Sequence, residues 1–155
     1  MRTRTILLTM AALFAAAVVC FAADDANMGT WKLNEGKSKL VAGATKNNTV
    51  TYEAAGDSVK VTIDGVDGAG KPTHNEWTGK YDGKDYAVTG DPSSDMRSYK
   101  RVSTRTLAFT VKKDGKATMT GRITVAADGK SRTVTATGTD AKGMKVSSTA
   151  VYDKQ

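Results

Sequence analysis

From Gly29 onward, apolar and polar residues alternate with a period of two, broken by short turns that contain Gly. Such alternation marks strands with one buried and one wet face. The first runs from Gly29 to Leu33, with Gly29, Trp31 and Leu33 on one side. A polar connection over 34–44 has room for one helical turn at most. The second strand spans Thr49 to Ala54 and the third Val59 to Ile63, and a Gly-rich turn runs from Asp64 to Pro72. A fourth, Thr73 to Tyr81, places Asn75, Trp77 and Tyr81 together, and a short fifth holds Tyr86 and Val88. The sixth, Met96 to Val102, carries Arg97, Tyr99 and Arg101 on one face, and neither of its faces is cleanly apolar. Four regular strands follow, marked by Leu107 to Val111, Met119 to Val125, Val134 to Gly138 and Val146 to Tyr152.

Asp-Gly at 114–115 and 128–129 lies between alternating runs, a strong signal for tight hairpins because the turn needs positive φ. Ten strands in hairpin order predict an all-β chain. Consecutive hairpins lose their exposed edges most simply by closing, so the first strand is expected to pair with the last in a single antiparallel up-and-down β-barrel of about 8–10 strands. A two-sheet sandwich would need longer crossovers than the chain offers. Gly121, Ala136, Gly138 and Ala150 lie on inward faces, so the interior is either narrow there or incompletely filled.

Residues 1–22 change the picture at the start. Arg2 and Arg4 precede an apolar run ending in small residues, the pattern of a secretory signal cleaved after Ala22. A retained anchor or a lipidated Cys20 are the rival readings; Val19 before that cysteine and the Ala-rich run disfavour them. Cleavage leaves one domain, 23–155, without cysteine, periplasmic or secreted and not stably inserted in a membrane. Two of the 23 basic residues belong to the leader, so the mature excess over 16 acidic residues is +5. The basic residues read as scattered singly along the chain. No basic stripe is interleaved with stacking aromatics, which argues against nucleic acid.

Candidate chemistry is sparse. His74 is the only histidine, beside Glu76 on a polar face, and the spacing of acidic residues in the Asp64–Pro72 turn fails the helix-loop-helix calcium pattern. No catalytic residues, metal site or cofactor are expected, so the chain is read as non-enzymatic and monomeric. A ligand site would draw on Trp77, Tyr86, Tyr99 and Tyr152 as amphipathic walls, with Arg97 and Arg101 holding an anionic group if their face turns inward. Core packing and outward solvation are the plain alternatives for these two sets. The partner would be a small amphipathic or anionic molecule; the alternative function is an envelope module contacting anionic polymer or lipid.

Gly29-x-Trp31 in the first mature strand resembles the opening of the lipocalins, and Gly29 to Leu33 with Ala150 to Lys154 is similar to the first and last strands of the intracellular fatty-acid-binding proteins. Gly-Thr-Trp-Lys-Leu-Asn and Val-Tyr-Asp-Lys-Gln also resemble the ends of a group of small exported bacterial proteins without an established activity. The resemblance implies a ligand-binding barrel in which Trp31 plugs one end. The sequence departs where the fatty-acid-binding proteins place a two-helix lid, since 34–48 is too short and polar. It departs again two residues before Tyr152, where their carboxylate-binding Arg is replaced by Ala150.

Overall fold

A computed structural model describes residues 25–139 and 143–155. The proposed signal segment 1–22, residues 23 and 24, and residues 140–142 of the last turn lie outside the described residues. Ten strands follow one another: β1 (Gly29–Leu33), β2 (Lys46–Ala55), β3 (Ser58–Val66), β4 (Pro72–Gly79), β5 (Tyr86–Thr89), β6 (Met96–Ser103), β7 (Thr106–Lys113), β8 (Lys116–Val125), β9 (Ser131–Thr139) and β10 (Lys145–Lys154). They close into an antiparallel up-and-down barrel in sequential order, and β1 completes the ring by pairing with both β2 and β10. The expected all-β closed barrel is the observed one.

Trp31 faces Val50 on β2 and Lys154 on β10, so closure runs through the strand expected to supply it. The connection from β1 to β2 holds a single 3-10 turn, Glu35–Lys37, capped by the Asn34 side chain. At the β7–β8 hairpin, Asp114 and Gly115 both have positive φ (50° and 74°), the backbone of the tight turn that Asp-Gly favours.

Several strand boundaries differ from the alternation. β2 begins at Lys46 rather than Thr49, with a bulge between Asn47 and Thr49. β3 continues through Asp64, Gly65 and Val66, and β4 starts at Pro72. Gly65 faces that bulge, where any Cβ would overlap the Lys46 carbonyl oxygen, so this glycine serves a close strand approach rather than a turn. β4 stops at Gly79, and Tyr81 lies beyond it, accepting from the Arg101 backbone N–H.

The barrel has two unlike ends. The chain start, with the turns after β2, β4, β6 and β8, forms one; the connections after β1, β3, β5, β7 and β9 form the other, called here the far end. Inside the first end, Trp31, Tyr52, Leu107, Val125, Arg132 and Tyr152 are buried. Trp31 is fully buried, and its Nε1–H donates to the Asn27 carbonyl oxygen at 2.8 Å. Asn27 is itself held by Asp25, whose carboxylate also pairs with Arg101 on β6. The start of the described chain thus stoppers this end.

Candidate functional site

Burial falls steadily along β7 to β10 towards the far end. On β8 the inward residues run from Val125 and Ile123, both buried, through half-buried Gly121 to Met119, which is 41% exposed. On β9 they run from buried Arg132 to half-buried Val134, Ala136 and Gly138, and on β10 from Tyr152 and Ala150 to half-buried Ser148 and Val146. Part of the leanness noted at Gly121 is taken up by Phe109, because a Cβ on that glycine would overlap the Phe109 ring. Beyond Phe109 the wall opens. An open groove of about 280 Å³ lies across the rim of β8 and β9 at this end, lined by Met119 and Gly138 of the inward row and by Thr120, Thr137 and Lys145 of the outward faces.

The inward row at that level links Arg97 on β6 with Val111, Met119, Gly138 and Val146 by direct cross-strand pairing. Arg97 is 6% exposed. Its Nη2 donates to Asn75 Oδ1 over a long 3.4 Å and lies 3.8 Å from Asp91 Oδ2, while Nη1 is buried without a hydrogen-bond partner. A buried guanidinium is ordinarily saturated with acceptors, since a bare buried donor costs about 1–3 kcal/mol. Arg97 is therefore half satisfied.

The loop between β5 and β6 supplies its one anionic neighbour among the described residues. Gly90 has φ of 81°, and a Cβ there would overlap the His74 carbonyl oxygen. This fixes Asp91 over the β4–β6 wall, where it accepts from the Ser93 and Ser94 hydroxyls, both at 2.6 Å. Burial alone would raise the Asp91 pKa, but the two serines, the Ser93 backbone N–H and the Arg97 charge outweigh it and hold the carboxyl below its ordinary range. Asp91 is ionised at neutral pH, yet too distant to saturate Arg97.

The other anticipated site residues fall into three places. Trp77 and Tyr99 belong to the core, edge to face with ring centroids 4.7 Å apart, and Trp77 Nε1–H donates to the Arg97 carbonyl oxygen at 2.8 Å. Tyr86 packs on Trp77 at 5.7 Å and donates its hydroxyl to Asp82; it borders a second open groove, of about 290 Å³, where β4 and β5 are joined by only two residue pairs. Arg97, Trp77, Tyr86 and Tyr99 are thus brought together. Arg101 is not with them: it lies at the first end, over the Tyr81 ring and paired with Asp25. Tyr152 is in the stopper, its hydroxyl donating to the Asn47 carbonyl oxygen and its pKa pushed up to about 12 by burial.

Arg132 was not anticipated from the sequence. It is 2% exposed and stacks on Trp31, Tyr52 and Tyr152 with its guanidinium carbon 4.8 to 4.9 Å from each ring centroid. Three ring faces substitute for acceptors here, each worth about 1–2 kcal/mol to a desolvated cation. Its parity with Val134, Ala136 and Gly138 was the available signal. Among the described residues no cluster of three or more acidic, His or Cys side chains could hold a metal ion. His74 lies on the outer face and binds Asp64 at 2.7 Å.

No protein-family model matches the chain, and no curated protein is significantly similar to it. Among solved structures, EF1p2_mFAP2b bound to DFHBI is 11% identical, covering 84% of this chain and 94% of that one with a TM-score of 0.47. A redesigned beta barrel is 13% identical, with 85% and 96% covered and a TM-score of 0.43. Neither likeness assigns a function to this chain.

Proposed function

We propose that the chain is an exported, non-enzymatic, lipocalin-like barrel that binds a small amphipathic acid at its far end. Half-satisfied Arg97 carries this reading. An anionic head group reaching Nη1 would complete its hydrogen bonding, while the hydrocarbon part would lie against Val111, Met119 and Gly138 in the same inward row. Because the first end is filled by Trp31, Arg132 and Tyr152, the ligand would be shallow and short rather than a long chain enclosed along the whole barrel. The acid-binding Arg of the fatty-acid-binding proteins has no counterpart at Ala150; Arg97 fills that chemical role from a different strand.

Isothermal titration of the mature domain with octanoate and with octanol tests the proposal. Octanoate is expected to bind at least about tenfold more tightly, since a charge-assisted hydrogen bond to a buried cation contributes about 1.5–3 kcal/mol. Arg97→Met, which keeps the stem and removes the donors, is expected to abolish that preference. Equal affinity for acid and alcohol in the parent protein would refute the role of Arg97.

A further inference from the structure

Charge is divided between the two halves of the barrel. Residues 25–95, through β5, carry 8 basic and 11 acidic side chains; residues 96–155, from β6 on, carry 13 basic and 4 acidic. The mild overall excess therefore conceals a balance of −3 against +9, and the basic residues are not scattered evenly. Sequential pairing turns this division along the chain into a division in space. No acidic residue occurs in β6, β7, β8 or β9, and β10 has only Asp153, which accepts from Asn34.

The outer face of this basic half is a ladder of hydroxyls. One outward row reads Thr110, Thr120, Thr137 and Ser147 in direct register across four strands, continued on β6 by Ser98, which is buried, and another links Thr106, Thr124 and Thr133. Between them, Lys100, Ala108, Arg122, Thr135 and Thr149 form a third row that Lys39 extends by an isolated bridge. Strands about 4.8 Å apart put Lys100 and Arg122 roughly 10 Å from each other, with Ala108 between them and hydroxyls in the flanking rows. Lys100, Arg122 and Lys145 are exposed and form no ion pair among the described residues. This is neither a core surface nor an ion-paired one.

We infer that the outer face of β6–β10 docks an anionic polysaccharide, whose sulfate, phosphate or carboxylate groups meet Lys100, Arg122 and Lys145 while its hydroxyls bond to the threonine rows. Charge complementarity selects a polyanion. The hydroxyl ladder selects a sugar polymer over a bilayer, because the face presents no Trp, Tyr or Phe to insert at a lipid interface. Thr120, Thr137 and Lys145 border the far-end groove as well, whereas the buried Arg97 side chain takes no part in this surface.

Dextran sulfate is the probe, with neutral dextran and phosphatidylglycerol vesicles as comparisons, each titrated against the mature domain. Dextran sulfate is expected to bind, losing about tenfold in affinity between 50 and 200 mM salt as counterions compete. The triple variant Lys100→Glu, Arg122→Glu, Lys145→Glu should lose at least about tenfold. Lys32→Glu, Lys71→Glu, Lys84→Glu makes the same charge change on the other half and should lose less than about threefold. Thr120→Val with Thr135→Val, which preserves shape, should weaken binding by about threefold, and Arg97→Met should leave it unchanged. Equal losses in the two triple variants would overturn the assignment of the face. Binding to the vesicles but not to dextran sulfate would overturn the choice of partner, and an unaffected valine double variant would overturn the role of the hydroxyls. Circular dichroism of each variant confirms that the comparison is made on folded protein.

Discussion

Replacing Trp31 removes the centre of the stopper, and the loss can be worked from its surroundings. A large aromatic side chain buries about 150–250 Å², which at about 25 cal/mol per Å² is worth about 4–6 kcal/mol. Ala retains a part of this, the packed strands around the site relax only in part, and truncations of this kind cost about 3–5 kcal/mol. Two contacts act in the same direction: the Asn27 carbonyl oxygen loses its 2.8 Å donor in a buried setting, and Arg132 loses one of its three rings. Trp31→Phe separates them from bulk, because it keeps a ring under Arg132 but not the N–H, and is expected to cost about 1–2 kcal/mol. Urea unfolding of residues 23–155 followed by far-UV circular dichroism gives both values. Against a total stability of about 5–15 kcal/mol, Trp31→Ala removes a large share of what holds the barrel together. A loss below about 1 kcal/mol for Trp31→Ala would refute the stopper.

Arg132→Ala is expected to destabilise by about 3–5 kcal/mol in the same assay, by leaving a void among three rings, whereas Arg132→Met, which fills that void without a charge to desolvate, should cost less than about 1.5 kcal/mol; equal losses would show that the charge itself is the stabilising element. The Asp64 hydrogen bond raises the His74 pKa above its ordinary 6.5, so the pair's contribution is complete below about pH 6.5 and fades as pH rises through the folded value. His74 is the only histidine, so its NMR titration should show a midpoint that falls in Asp64→Asn; an unchanged midpoint would refute the pairing. Gly90→Ala should distort the loop carrying Asp91, because a Cβ would overlap the His74 carbonyl oxygen, and is expected to lower the melting temperature by several degrees, roughly 1–3 kcal/mol.

The fold was legible because its signals are local and agree with one another. Period-two alternation set the strand faces, Asp-Gly set the hairpins, and the lack of long crossovers left closure as the way to remove edges. The Asp64–Val66 segment was misplaced because Gly65 reads as a turn residue, while its cause is a close approach to Lys46, a residue far away in sequence. Arg132 was passed over for a related reason. Arginine is mostly exposed in proteins, and the three rings that hold it come from β1, β2 and β10, a coincidence that only closure creates. Arg97 and Arg101 share a strand face in the sequence, but the barrel separates them by depth, sealing one inside and leaving the other at the rim with Asp25. The segregation of charge was present in the sequence, but it acquires meaning only when residues are counted by strand and the strands are known to pair in order.

Arg97 as an acid-binding group is the central claim, and native mass spectrometry of the protein isolated from the cells that make it tests that claim most directly. A retained small amphipathic acid is expected at one per chain, lost in Arg97→Met while the circular dichroism spectrum is unchanged. A retained neutral molecule, or an acid retained equally by Arg97→Met, would contradict it.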